Sequence, residues 1–254
     1  MKWYLFILFA ILSFCFPEIA AAQSVGETGN EPGFIYRREY NIYGKIHTEG
    51  WGIGFRWGQN NTVNSQRYID FHINNMKHPK EIRTSNSFYF EDARSYVYGK
   101  QYYLLMARLG FGSMRVLNEK PYWGGIDLRH FWSIGPTIAM AKPIYLYVID
   151  DSSYLYSYYL RLEKYNPGVH NTSNIYGRGP FFKGIGESKF YPGLTFSTGL
   201  SFEFGNEKTS VRFLEVGATA DLFFKSIPIM AYNENEQYFI TFYLSYHFGR
   251  RYNK

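Results

Sequence analysis

Apolar and polar residues alternate with a period of two along much of this chain, the spacing at which successive side chains leave opposite faces of a strand. The pattern is clearest towards the C-terminus. Leu194, Phe196, Thr198, Leu200, Phe202 and Phe204 share one face, and Thr195, Ser197, Gly199, Ser201 and Glu203 share the other. From Leu214, an apolar face of Leu214, Val216, Ala218, Ala220, Leu222 and Phe224 opposes Glu215, Gly217, Thr219 and Asp221. The last segment sets Tyr238, Ile240, Phe242, Leu244, Tyr246 and Phe248 on one side. Earlier stretches repeat the pattern. Trp51, Ile53, Phe55 and Trp57 alternate with Gly50, Gly52, Gly54 and Arg56. Ile69, Phe71 and Ile73 alternate with Asp70, His72 and Asn74, and Leu105, Ala107, Leu109 and Phe111 with Met106, Arg108, Gly110 and Gly112. A weaker strand covers about Tyr36 to His47, with Tyr40, Ile42 and Ile46 on one face. These segments match the about 9–11 residues of a tilted strand that crosses a bilayer.

The connections set the strand count. Short turns are expected at Gln59–Ser65, Asn118–Pro121 and Gly205–Ser210, and longer loops at Lys77–Lys100, Asp150–Lys189 and Ser226–Gln237, with a tight turn at His47–Gly50. Tyr122 to Ile149 reads either as one long strand or as two. Taken as one, it puts every short turn on one side and every long loop on the other, as membrane barrels do. Splitting it gives nine strands and breaks the alternation. As one strand, Gly135-Pro136 and Pro143 mark bulges. The expected fold is therefore all-β: a single closed antiparallel transmembrane β-barrel of eight strands with long extracellular loops, ten strands being the runner-up.

Composition sharpens this picture. Aromatics are 21% of the 254 residues, with 25 Tyr, 23 Phe and 24 Gly. Beyond residue 22 no apolar run approaches a transmembrane helix. Many aromatics and glycines without an apolar helix suit a barrel with aromatic girdles at both interfaces; a secreted β-sandwich is the plainer alternative. At the N-terminus, Lys2, an apolar run from Trp3 to Phe16 and Ala20-Ala21-Ala22 form a cleavable signal peptide over residues 1–22. A periplasmic segment 23–35, the barrel 36–248 and a periplasmic tail 249–254 follow. Cys15, the one cysteine, lies in the leader behind Phe14, which does not fit a lipoprotein site. The mature chain then has no disulfide, thiolate metal site or cysteine nucleophile. The net charge of +6 suits a surface facing lipopolysaccharide phosphates, and no basic stripe points to nucleic acid.

The final strand, Tyr238 to Phe248, resembles the C-terminal β-signal by which outer-membrane barrels are captured for assembly. Many barrels stop at that Phe; here Gly249-Arg250-Arg251-Tyr252-Asn253-Lys254 continues, which points to a small periplasmic contact. Further stretches resemble an uncharacterised family of outer-membrane barrels from Bacteroidota: Gly50 to Gly58, Met76 to Arg83, Ser95 to Lys100, Gly135-Pro136, Ala141 to Leu146 and Phe181 to Gly184. The resemblance covers most of the mature chain and implies an outer-membrane barrel without an assured activity. By analogy with small accessory barrels, it implies a subunit of an outer-membrane protein assembly or secretion complex, with protein partners.

The inward face is expected to be polar and mutually neutralised, with Lys45, Arg56, Arg108 and Arg129 against Asp70, Asp127, Glu203, Glu215 and Asp221, and with His47, His72 and His247 nearby. Eight strands enclose a lumen just wide enough to be filled by side chains. No H-E-x-x-H spacing and no G-x-S-x-G motif occurs, so neither a metal nor a cofactor is expected. Ser245 and His247 leave a lipid hydrolase or acyltransferase as an alternative, and a minor pore as another. The outer loop from Asp150 to Lys189 concentrates Tyr and Arg, residue types favoured at interfaces. Tyr154, Tyr158, Arg161, Tyr165, Tyr176, Arg178, Phe181 and Phe182 are its partner-binding candidates, with a short helix expected over Leu155–Tyr165. A loop packed on its own barrel rim explains the same composition equally well.

Overall fold

The structure is a computed structural model and describes residues 36–62, 64–86, 92–118, 125–150, 159–204 and 209–253. The expected signal peptide and the segment 23–35 lie outside the described residues. The strands in chain order are β1 (Arg38–His47), β2 (Gly50–Thr62), β3 (Ser65–Met76), β4 (Arg83–Thr84), β5 (Tyr96–Val97), β6 (Tyr102–Asn118) and β7 (Asp127–Pro143). They continue with β8 (Tyr145–Asp150), β9 (Tyr159–Lys164), β10 (Ile175–Arg178), β11 (Lys189–Glu203), β12 (Ser210–Ile227) and β13 (Glu236–Tyr252). A 3-10 turn, Ile185–Glu187, precedes β11. Among the described residues no helix is long and apolar enough to cross a membrane.

Eight strands close into a barrel in the order β1-β2-β3-β6-β7-β11-β12-β13, every neighbour antiparallel. Closure is made by β1 against β13, from Arg38↔Tyr252 to His47↔Tyr243. Both the start of β1 and the end of β13 therefore sit at one end of the barrel, the termini end. The long connections gather at the other, the loop end. A closed ring leaves no unpaired strand edge, which is what lets a sheet enter lipid.

Burial runs opposite to that of a water-soluble sheet. On β1, Glu39, Asn41, Tyr43, Lys45 and His47 are buried, while Ile42 and Ile46 are 49% and 70% exposed. The same inversion holds around the ring: Arg108 is 1% exposed and Phe224 68%. Apolar side chains from Ile53, Phe71, Ile138, Leu194, Leu222 and Phe242 join this outward belt. A continuous apolar wall of this extent is unstable in water and matches an acyl-chain environment. Chemistry therefore resides in the lumen and at the two rims.

Three features differ from the sequence expectation. The segment Tyr122–Ile149 is not one barrel strand: β7 ends at Pro143, and β8 leaves the wall to pair with β9 and β10 in a separate three-stranded sheet at the loop end. Pro143 has no N–H to extend the ladder, and the Ile144 N–H turns to the carbonyl of Gln101, 3.0 Å away. Gly135-Pro136 is not a bulge, because β7 keeps unbroken register with β11 from Lys189↔Ala141 to Glu203↔Asp127. An ideal Cβ on Gly135 would stand 1.8 Å from the Leu109 carbonyl oxygen, so the glycine permits a close strand approach instead. Finally, Gly249 to Tyr252 is not a tail; it continues β13 and pairs with β1.

Candidate functional site

The lumen is filled in three layers. At the termini end, Arg251 donates to Glu39 at 3.0 Å and to both oxygens of Glu203 at 2.7 Å. Arg129 closes the cluster, 2.5 Å from Glu203 and 3.3 Å from Asp127. Arg251 does not make the periplasmic contact expected of a tail; it is spent inside the barrel on Glu39 and Glu203, because continuing β13 by four residues turns its side chain inward.

The middle layer centres on Arg56. Its guanidinium reaches both oxygens of Glu215, at 2.5 and 3.1 Å, and its Nε lies 3.5 Å from Asp70. Asp70 also accepts from the Tyr43 hydroxyl at 2.9 Å and meets His72 Nδ1 at 3.1 Å. Four inward aromatic rings line the lumen here, each beside a glycine on the adjacent strand, and three of them, Tyr43, Tyr68 and Phe131, face the Arg56 guanidinium. Tyr43 stands opposite Gly54, Tyr68 opposite Gly112, Phe131 opposite Gly199, and Tyr243 opposite Gly217. A Cβ on Gly54 would come within 2.3 Å of the Tyr43 ring, and one on Gly112 within 2.5 Å of Tyr68. The glycines make room for rings that cross the lumen. The Arg56 guanidinium lies 4.4 Å over Tyr68 as a result.

Towards the loop end, Arg108 holds Asp221 through two bonds of 2.8 and 2.5 Å, both side chains being 0% exposed. Lys45 departs from the expected carboxylate pairing, since its ammonium sits 3.7 Å over the Tyr243 ring. Above this pair the lumen becomes apolar, which the alternation did not announce. Met76, Leu104, Met106, Ala139, Ala141, Phe223, Ile227, Ile229, Met230 and Phe239 form one buried cluster. Ile229 and Met230 belong to the β12–β13 connection, which crosses the mouth to the start of β6. Gln101 N–H donates to the Ile229 carbonyl at 2.9 Å, and Ala231 N–H to that of Gly99 at 2.7 Å. The lumen is thus lidded as well as filled.

Ser245, His247 and Glu215 do meet. Ser245 Oγ is 3.0 Å from His247 Nε2, and Glu215 Oε2 is 3.1 Å from the same nitrogen, while Asn41 occupies Nδ1 at 2.9 Å. A hydrolytic triad needs the serine and the acid on opposite nitrogens. Here they share one, and Ser245 is 1% and His247 0% exposed. The set is a buried hydrogen-bond network without access for a substrate. Among the described residues no group of three His, Cys, Asp or Glu is placed to hold a metal ion.

At the loop end, β10-β8-β9 packs on the β4–β5 hairpin through Tyr96, Leu146, Val148, Tyr165 and Ile175. Tyr165 was expected on a partner-binding surface. It is 7% exposed and belongs to this small core, and burial pushes its phenol up to about 12. The short helix expected over Leu155–Tyr165 is replaced, over its described part, by β9, because Leu160 and Leu162 alternate with Arg161 and Glu163 against β8. Tyr154 and Tyr158 lie outside the described residues. Arg161 and Arg178 are exposed on the outer sheet and Tyr176 is half-buried. Phe181 and Phe182 are exposed at 56% and 77%. Two titratable groups at this end are perturbed. Burial pushes Glu49, in the β1–β2 turn, up to about 7, with help from Glu236 and Asp221. Burial lowers Lys100 below the usual ammonium range against the pull of Glu81, 2.7 Å away.

No family model matches the sequence, and no characterised protein sequence matches it. Among solved structures, the fold is similar to Neisserial surface protein A (NspA), at 8% identity over 85% of this chain and 96% of that one, TM-score 0.41. It is also similar to Ail, the attachment invasion locus protein of Yersinia pestis, crystallised alone and with the heparin analogue sucrose octasulfate. Those two matches are at 10% identity over 85% of this chain and 97% of that one, with TM-scores of 0.37 and 0.39.

Proposed function

We propose that this protein is an integral β-barrel of a Gram-negative outer membrane that acts as a sealed anchor. Its loop-end sheet serves as a structural or interaction subunit of an envelope machine for outer-membrane protein assembly or secretion. The observation that carries the reading is the lumen. A transport pore needs a continuous wet path, and an eight-stranded barrel leaves little room for one. Here Arg129, Arg56 and Arg108 occupy successive levels with their carboxylates, and Met106, Phe223 and Phe239 close the loop end. With the interior committed to packing, recognition falls to surfaces outside the wall. The three-stranded sheet, held on its own core, supplies a rigid one. The barrel is oriented with its termini in the periplasm and its long loops outward, facing lipopolysaccharide and protein partners.

Affinity purification of a tagged, natively expressed copy from membranes in mild detergent tests this. Stoichiometric protein partners that dissociate when Arg161 and Arg178 are replaced support it. A monodisperse monomer with lipid alone refutes the subunit role.

A further inference from the structure

The turn between β10 and β11 does not rise with the other loops. Its placement follows from two residues of the barrel wall. Along β7, Ala139 and Ala141 point into the lumen and are 0% exposed, so Lys142 points outward. Its register partner Tyr103 points outward for the same reason, between the inward Leu104 and the strand end. A lysine there would present its ammonium to the lipid interface. Instead Lys142 is 4% exposed: its Nζ donates to the Phe181 carbonyl at 2.5 Å and lies 4.6 Å over the Phe181 ring. The Phe181 ring packs edge-on against Tyr103 at 5.3 Å. Gly184, at a φ of 84°, lets the chain turn tightly against Pro143 and Tyr145, where a Cβ would stand 2.7 Å from the Tyr145 ring. The turn therefore overhangs the outside of the wall at β6 and β7.

The overhang is continuous with the lipid-facing belt. Lys142 lies two residues beyond Met140, about 7 Å along the strand. Met140 pairs with Phe190, an outward residue 66% exposed. Phe181 and Phe182 stay largely uncovered just above that rung, with exposed Lys183 next in sequence. Two exposed aromatics followed by a cation, set at the rim of an apolar wall, match a bilayer interface: rings towards the acyl chains, ammonium towards phosphate.

We infer that the Pro180–Gly184 turn is a membrane-interface anchor, in which Phe181 and Phe182 enter the outer leaflet beside the barrel and Lys183 meets anionic lipid headgroups. This rests on the proposed membrane-spanning barrel, and the test separates the two. In a Cys15→Ser background the chain has no other cysteine. Nitroxide labels are placed one at a time through Phe182→Cys, Phe190→Cys and Val169→Cys, and the protein is inserted into phosphatidylcholine vesicles containing phosphatidylglycerol. Collision with oxygen, which concentrates among acyl chains, is compared with collision with a water-soluble nickel chelate. The label at 182 is expected to favour oxygen as the one at 190 does, and the label at 169, on the exposed loop-end surface, to favour nickel. A water-like reading at 182 beside a lipid-like reading at 190 overturns the anchor and leaves the barrel standing. A water-like reading at 190 overturns the barrel itself. Adding Lys183→Glu is expected to shift the label at 182 towards nickel; an unchanged ratio removes the headgroup contact.

Discussion

Removing one partner of the Arg108–Asp221 pair should be far more harmful than removing both. The two side chains are fully buried and joined by bonds of 2.8 and 2.5 Å. Asp221→Leu alone leaves the guanidinium without its carboxylate, facing His72 Nε2 at 3.4 Å. Two charge-assisted bonds at about 1.5–3 kcal/mol each give a loss of about 3–6 kcal/mol. Breaking a buried ion pair by removing one partner independently costs about 3–5 kcal/mol. Replacing both with apolar residues of similar size, Arg108→Met with Asp221→Leu, removes the stranded charge and its desolvation cost together. That double variant should lie within about 1 kcal/mol of the unaltered barrel, or above it. The coupling between the positions is then at least about 2 kcal/mol, well above the about 0.3–0.5 kcal/mol scatter of independent sites. Urea unfolding in short-chain lipid vesicles, followed by the mobility of unboiled samples on gels, measures all four corners of the cycle. If the single and double variants lose the same stability, the lumen charges are not energetically paired, and the sealed-lumen reasoning fails with them.

Other outcomes follow from the same layers. In planar bilayers the purified barrel is expected to show no steady unitary conductance, whereas uniform open steps would mean that the apolar lid over Met106 and Phe239 does not close the lumen. Gly54→Ala should displace the Tyr43 ring and cost stability, and it should cost markedly less in a Tyr43→Ala background; equal losses in both would show that the glycine–tyrosine contact is not the cause. Glu49 has a folded-state pKa of about 7, above its ordinary value, so its ionisation opposes folding. Its stability cost is absent below about pH 4.5, grows as pH rises through that interval, and is complete above about pH 7. Glu49→Gln should therefore raise the unfolding midpoint at pH 8 and leave it unchanged at pH 4, and a gain that is the same at both pH values would refute the assignment. Ser245→Ala should leave any lipid turnover by the purified protein unaltered, and abolished turnover would restore a hydrolytic role to the Ser245–His247 pair.

Much of this architecture was legible in the amino-acid order because a strand that separates lipid from a filled interior must alternate. Ile42, Ile46, Trp51 and Ile53 announced the outward wall, and Lys45, Arg56 and Asp70 the inward one, from parity alone. The short-turn and long-loop rhythm identified eight wall strands before any neighbour was known. Parity also misled in places. β8 alternates as a wall strand does, and nothing local distinguishes a strand that stays in the ring from one that leaves it after Pro143. Met76, Leu104 and Met106 carry no local mark of a lid, since an inward apolar residue has meaning only once its height in the lumen is known. Arg251 looked like part of a tail because its partners, Glu39 and Glu203, lie 212 and 48 residues away.

The sequence by itself determined which side chains face lipid and which face inward, because that assignment needs only the two-residue period of an extended chain. Only the tertiary structure decided who meets whom. Arg108 finds Asp221 across 113 positions, and Tyr43 finds Gly54, through the stagger that ring closure imposes on neighbouring strands. Height within the barrel is a property of the closed ring, set when β1 joins β13, and no single strand contains it.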